Sequence, residues 1–422
     1  MQRTQSFAQG MQSLKSMTSS FFNLCLPAVA ALCFNTYLCT MNYEKRGVSA
    51  TKEEVRAAIL KLDKGLFHDA FCKILPDYVS NDEKYVNIMH TDTAGTKTSI
   101  AYLYWKETGD INAWKGIVQD ALVMNLDDMA CSGVTNDIIL SSNIARNKGL
   151  VPGEVVKALI EGTVEFIEKM ESLGIHIRHS GGETADVGDI VRTADVGFTA
   201  FARMPKEKVM DIKIQPGDVI VALASYGQSV YETAYNSGIA SNGLTFAKHE
   251  TLSYYYSENY PESFDPNIDS EYVYTGTQRL TDEFEGHTVG ELLLSPTRTF
   301  VPVLNAILSK YRNEIHGIIH NTGGGLSKVL HYIHNLHIIK DNLIEIPPVF
   351  RLIQNQNNAD WKEMYQVFNM GQRIEIYTNA TTAKEIIALS ESFHIHAQVI
   401  GHVEEGTGRK LTLKTPNGEF EY

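Results

Sequence analysis

No run of lysine or arginine occurs anywhere in this 422-residue chain, which carries 37 basic against 50 acidic side chains and a formal charge of −13. That balance argues against a nucleic-acid partner, because a phosphate backbone demands clustered cations. Cysteine is scarce as well. Of the five, Cys25, Cys33 and Cys39 fall early, leaving Cys72 and Cys131 without metal-ligand spacing. The body of the chain therefore reads as a reduced-compartment protein without zinc. No tandem repeat marks a solenoid. What remains, 43% hydrophobic and 21% charged, is an ordinary globular composition, long enough for two domains with a full core each.

Long apolar runs are nearly missing too. The exception, Phe21 to Leu38, follows Arg3 and Lys15 in the outline of a secretory signal. Pro27 interrupts it, and Asn23, Asn35 and Thr36 dilute it, which argues against a membrane-spanning helix. Residues 1–40 read better as an upstream extension or a mis-assigned start, with Met41 the true start. No membrane partner is expected.

From Met41 the punctuation gives two halves, 41–212 and 213–422, which meet at Lys213-Ile-Gln-Pro-Gly217 just before the apolar strand candidate Val219 to Leu223. Helical spacing marks Val55 to Leu66, Trp114 to Met129, Val151 to Leu173, Phe300 to Leu308, Leu326 to Leu336 and Thr381 to Phe393. Strands are expected at Tyr85 to Met89, Ile374 to Tyr377 and Gln398 to Val403. Mixed elements in both halves predict an α/β (α+β) protein of two α/β sandwich domains with mixed sheets. Tyr254 to His287, rich in Tyr, Glu and Asp, reads as a surface insertion.

Four stretches carry candidate chemistry. His90-Thr-Asp92-Thr-Ala-Gly95-Thr96-Lys97 follows a strand directly and puts a carboxylate, a glycine and an ammonium in one turn. Such a turn can serve a phosphate and its cation, although it also fits a plain polar connection. Asp120 and Asp127 are seven apart and share a helix face, with Asp128 beside it. Acids near a helix carboxyl end oppose its dipole unless a cation compensates. Ser180-Gly181-Gly182-Glu183-Thr184-Ala185-Asp186 combines backbone freedom with carboxylates, as plain hairpin turns also do. His320-Asn-Thr322-Gly323-Gly324-Gly325 opens a helix candidate, where unpaired amides suit an anion. Ser241-Asn242-Gly243 adds a small polar turn.

Taken in order from Tyr43, these segments together with Leu292-Leu-Leu-Ser-Pro-Thr-Arg-Thr299 resemble the phosphoribosylformylglycinamidine cyclo-ligases, or aminoimidazole ribonucleotide synthetases. Their superfamily includes selenophosphate synthetase and thiamine-phosphate kinase. His90, Thr93, Ala94, Asp127 and Ala240 depart from the family pattern, and Tyr43-Glu-Lys-Arg-Gly47-Val48 resembles its mobile amino-terminal loop. The resemblance implies a homodimer that pairs its amino-terminal sheets, with ATP and Mg²⁺ in use. It implies metal ligands among Asp92, Asp120, Asp127, Asp128 and Glu183, and a catalytic set of Lys97, Asp92 and Glu183. ATP phosphates would meet Gly95, Thr96, Lys97, Gly181, Gly182 and Thr184. The ribonucleotide phosphate would meet Ser241, Asn242, Gly243, Thr322, Gly323, Gly324 and Gly325. The implied reaction phosphorylates the formyl oxygen of formylglycinamidine ribonucleotide and closes the imidazole ring. A superfamily kinase or synthetase acting on another small molecule, or a non-catalytic nucleotide-binding subunit, are the rival readings.

Overall fold

The computed structural model describes residues 43–49, 53–59 and 61–422. The expectations for residues 1–40 and for a start at Met41 lie outside the described residues.

The first sheet has five strands in the order β1-β2-β5-β3-β4, built from Ile74–Pro76, Tyr85–Thr93, Ile138–Arg146, Ile177–Asp186 and Ala194–Pro205 for β1 to β5. All its pairs are antiparallel except β3 with β4. The helix Ala113–Cys131 packs on β2 and β5, and Gly153–Ser172 packs beside it. Alternation along the central strands buries Val86, Ile88, Val196, Phe198 and Ala200 under these helices. The helix Ala113–Cys131 is buried on nearly every side, its buried residues including Asp120, Asn125 and Asp127, as befits a helix covered all round. It is the element on which the second half docks.

The second sheet has seven strands in the order β14-β13-β10-β12-β6-β11-β9. They are Val219–Ala224 (β6), Ile315–His320 (β9), Leu336–Lys340 (β10), Gln372–Thr378 (β11), Ala397–Glu405 (β12), Arg409–Thr415 (β13) and Gly418–Glu421 (β14). Its centre, β6 and β11, is buried on both faces and reads as an almost continuous apolar run in β6. The helices Val301–Tyr311 and Ala380–Ser392 lie over it. A two-stranded ribbon, β7 (Glu283–Phe284) with β8 (His287–Thr288), completes the sheets.

Three expectations need correction. The first helix ends at Ile59 instead of running to Leu66. The helix expected from Leu326 is a seven-residue 3₁₀ turn, Gly325–His331. The segment Tyr254 to His287 is not a detached insertion. Its Tyr256 and Tyr274 are buried, and it is tied to the helix Lys97–Thr108 by Tyr102 to Glu262 and Arg279 to Glu107, each at 2.6 Å.

Candidate active site

A cleft of about 470 Å³ opens where the end of β2, the end of the helix Ala113–Cys131 and two turns of the second half converge. Asp92, Gly95, Thr96 and Asp128 line one wall; Ser241, Asn242, Gly243 and Thr245 line another; Thr322, Gly323, Gly324 and Lys328 form the third. Hydrogen bonds hold the first two walls together, from Ser241 Oγ to the Ala94 carbonyl at 2.8 Å and between the Thr96 and Thr245 hydroxyls at 2.7 Å. The amino-terminal segment runs along the rim, where Tyr43, Val48 and Ser49 contribute. Arg46 anchors it through a buried ion pair with Glu250 at 2.6 Å, and the Tyr43 N–H donates to Glu363 Oε1 at 2.8 Å. Asn242 Oδ1 is buried there without a hydrogen-bond partner among the described residues, an acceptor whose desolvation a ligand donor would relieve.

The ammonium expected at the phosphate is elsewhere. Lys97 is fully buried, and its Nζ donates to Asp120 Oδ1 at 2.8 Å, to the Ser295 carbonyl at 2.6 Å and to the Ala240 carbonyl at 3.1 Å. An ammonium has three protons, and all three are used. Asp120 in turn accepts from the Thr297 N–H at 2.8 Å and its hydroxyl at 2.5 Å. Burial pushes the Asp120 pKa up and pulls that of Lys97 down, with their mutual attraction opposing both shifts.

Two more of the expected metal ligands, Asp127 and Asp128, are held by side chains of the second half. Asp127 is buried and accepts from the Phe300 N–H at 3.0 Å, from the Thr299 hydroxyl at 2.9 Å and from Arg373 at 2.5 Å. Asp128 Oδ1 lies 2.6 Å from His320 Nδ1, and its Oδ2 lies 3.3 Å from His90 Nε2. Burial alone would raise the Asp128 pKa, but the hydrogen bonds from His320 and then His90 outweigh it and hold the carboxyl well below its usual range. Burial would likewise lower His90; the Asp128 hydrogen bond and charge win and raise it. His90 Nδ1 also meets Asn125 Oδ1 at 3.0 Å, so both ring nitrogens face oxygen atoms that can accept from them.

Glu183 lies with Gly181, Gly182 and Thr184 on β4, the exposed edge strand of the first sheet, and none of the four lines the cleft. The glycine pair sits at a register shift in the β3–β4 ladder, and a side chain at Gly182 would come 2.1 Å from the Ser142 carbonyl. Its role there is to let two backbones approach. Gly325 is also outside the cleft lining; it is buried and its N–H donates to the Thr322 carbonyl at 2.9 Å. Among the described residues no three His, Cys, Asp or Glu side chains gather to hold a metal ion. Of the five carboxylates, Asp92 and Asp128 line the cleft, while Asp120 and Asp127 are buried and Glu183 lies on β4. Lys328 and the His90–Asp128–His320 row were not foreseen as site features; Lys328 stands one 3₁₀ turn past the glycines, a spacing that the sequence does display.

The fold and cleft define a two-domain α/β protein with a small polar-ligand site between its halves. Comparison makes this definite. Residues 70–204 match AIR synthase related protein, N-terminal domain, and residues 215–414 match AIR synthase related protein, C-terminal domain. The chain belongs to the AIR synthase related family. It is 30% identical over 326 residues to a phosphoribosylformylglycinamidine cyclo-ligase of Methanococcus vannielii, covering 76% of this chain and 78% of that one. It is 30% identical over 335 residues to the protein of that name from Methanocaldococcus jannaschii, covering 78% and 82%. Among solved structures, T. maritima PurL complexed with FGAR shares the fold with a TM-score of 0.52 at 13% identity, over 88% of this chain. The chain spans about half, 49%, of that PurL chain.

Proposed function

We infer that the protein is an ATP-dependent cyclo-ligase that converts formylglycinamidine ribonucleotide to aminoimidazole ribonucleotide, ADP and phosphate in de novo purine synthesis. The observation that carries this reading is the convergence of Asp92, Gly95 and Thr96 with Ser241 to Gly243 and Thr322 to Gly324 on one cleft, in a chain whose relatives bear that enzyme's name. The formyl oxygen takes the γ-phosphoryl group of ATP; the substrate's amidine nitrogen attacks the activated carbon; phosphate leaves and the ring closes. Such transfer is catalysed chiefly by positioning and charge neutralisation.

In this reading residues 41–212 take ATP and residues 213–422 take the substrate phosphate. Asp92, Gly95 and Thr96 serve the nucleotide, while Gly181, Gly182, Glu183 and Thr184 stand ready at the edge of β4. Mg²⁺ would be held on the nucleotide phosphates, with the carboxylates of Asp92 and Asp128 on the same cleft. A homodimer is supported by the outer face of the first sheet. There Met89 and Ile139, 61% and 47% exposed, flank Phe201 across three adjacent strands, an apolar row of the kind that marks an interface. A cytoplasmic setting follows from ATP use, and no helix among the described residues is long and apolar enough to cross a membrane.

The test is turnover of the purified protein with ATP, Mg²⁺ and formylglycinamidine ribonucleotide, followed by detection of the aminoimidazole product. ADP release only with another acceptor would make it a kinase, and no ADP release would make it a binding subunit.

A further inference from the structure

We propose that Lys328 is the cation that binds the substrate's phosphate monoester, and so the residue by which the cleft selects phosphorylated over unphosphorylated ribosyl ligands; this rests on the cyclo-ligase reading for the identity of the substrate. Among the described residues that line the cleft it is the one lysine or arginine. Its Nζ donates to the Thr322 hydroxyl at 3.1 Å and lies 5.3 Å from the centroid of the Phe71 ring, which itself stacks on Tyr332 at 5.3 Å. The ammonium is therefore held over an aromatic face and beside Thr322, with the side chain running past Gly324.

The need for a formal cation follows from the local backbone. The turn after the glycines is a seven-residue 3₁₀ helix, and the Gly325 N–H is already bonded to the Thr322 carbonyl. A turn this short has little macrodipole, and one of its amides is spent. Lys97 pairs with Asp120, Arg373 with Asp127 and Arg46 with Glu250, all in buried ion pairs outside the cleft lining. Asp92 and Asp128 add carboxylates to the same cleft, and Asp128 is flanked by two histidines. Without Lys328 a phosphate dianion would enter a cleft with excess negative charge, where like charges repel. With it, the phosphate gains a charge-assisted bond in partly buried surroundings. Across the cleft, the unpartnered Asn242 Oδ1 is placed to accept from a ribose hydroxyl.

The experiment compares the full chain with Lys328→Met and Lys328→Arg. In turnover assays Lys328→Met should raise KM for the ribonucleotide about tenfold or more while leaving KM for ATP nearly unchanged, since one charge-assisted bond is lost; Lys328→Arg should recover most of the loss. A rise in KM for ATP instead, or no change in either, overturns the assignment. A second arm measures thermal protection by ribose 5-phosphate and by ribose. Protection by the phosphate ester alone, lost in Lys328→Met and kept in Lys328→Arg, supports it; equal protection of wild type and Lys328→Met overturns it. The two readings fail separately. Absent turnover with Lys328-dependent ribose 5-phosphate binding removes the cyclo-ligase reading and keeps this one, whereas turnover with Lys328-independent binding does the reverse.

Discussion

Asp127 and Arg373, 246 residues apart in the chain, form a buried ion pair at 2.5 Å. Asp127 belongs to the helix Ala113–Cys131 and Arg373 to β11, so the pair joins the two halves of the molecule. Its neighbours repeat the arrangement. Asp120 takes Thr297 and Asp128 takes His320, both from the second half. The row of acids Asp120, Asp127 and Asp128 joins the two halves of the molecule. Breaking a buried pair by removing one partner costs about 3–5 kcal/mol, because the other charge is left stranded. Asp127→Ala is expected to lower the unfolding free energy by that amount in urea titrations. Unchanged stability with a lost nucleotide response would restore Asp127 to the chemistry.

Lys97 gives a second test of the same distinction. Its three donors are satisfied by Asp120 and two carbonyls, so Lys97→Met strands Asp120 in the core. The expected outcome is a loss of about 3 kcal/mol or more in stability, with KM values of the remaining folded protein close to wild type. A stable Lys97→Met protein with a collapsed kcat would return the ammonium to the phosphate.

How far the sequence reached follows from what each signal measures. Periodicity reports burial, and it located the helices at Ala113–Cys131, Gly153–Ser172 and Ala380–Ser392 and the strands β6 and β11 to within a few residues. Glycine and threonine at loop tips report conformational need, and Gly95 and Thr96, with Thr322 to Gly324, do reach one cleft. The direction of a charged side chain is not in the local sequence. Lys97 is the first residue of its helix, and whether it turns to the cleft or the core depends on Asp120 and Ser295, which the chain brings in from elsewhere. The same holds for Lys328, whose position over Phe71 is a tertiary fact.

Lys248 predicts a pH dependence. It is buried and makes no ion pair among the described residues; its Nζ donates to the Ser263 carbonyl at 2.6 Å and meets the Ser99 hydroxyl at 3.2 Å. Burial, with the Arg192 charge in support, brings its pKa down to about 7. Below that value both folded and unfolded chains hold the proton. Between about 7 and about 10.4, the ordinary lysine value, only the unfolded chain does, so stability rises with pH by up to about 1.4 kcal/mol per unit. The difference in unfolding free energy between wild type and Lys248→Met is expected to move in favour of wild type across that window. A difference that stays flat with pH would mean that Lys248 keeps its proton in the fold.

The glycines of the Thr322 turn separate ligand binding from folding, because the three are not equivalent. A Cβ on Gly323 would meet nothing within 4 Å, and Gly323 lines the cleft. A Cβ on Gly325 would come 2.5 Å from the Tyr365 carbonyl oxygen and 2.6 Å from that of Phe368, at a φ of +49°. Neither neighbour is a flexible side-chain end, so the backbone of the helix Trp361–Val367 and its exit would have to shift. Gly325→Ala is therefore expected to destabilise the fold, by about 1–3 kcal/mol for backbone strain and overpacking together. Gly323→Ala should leave the melting temperature unchanged and raise KM for the ribonucleotide, since its methyl projects toward the space that the phosphate would occupy. Denaturation and steady-state kinetics on the two variants distinguish the cases. A Gly323→Ala protein with unaltered KM for both substrates would move the phosphate away from this wall, and one with a raised KM for ATP alone would assign the wall to the nucleotide.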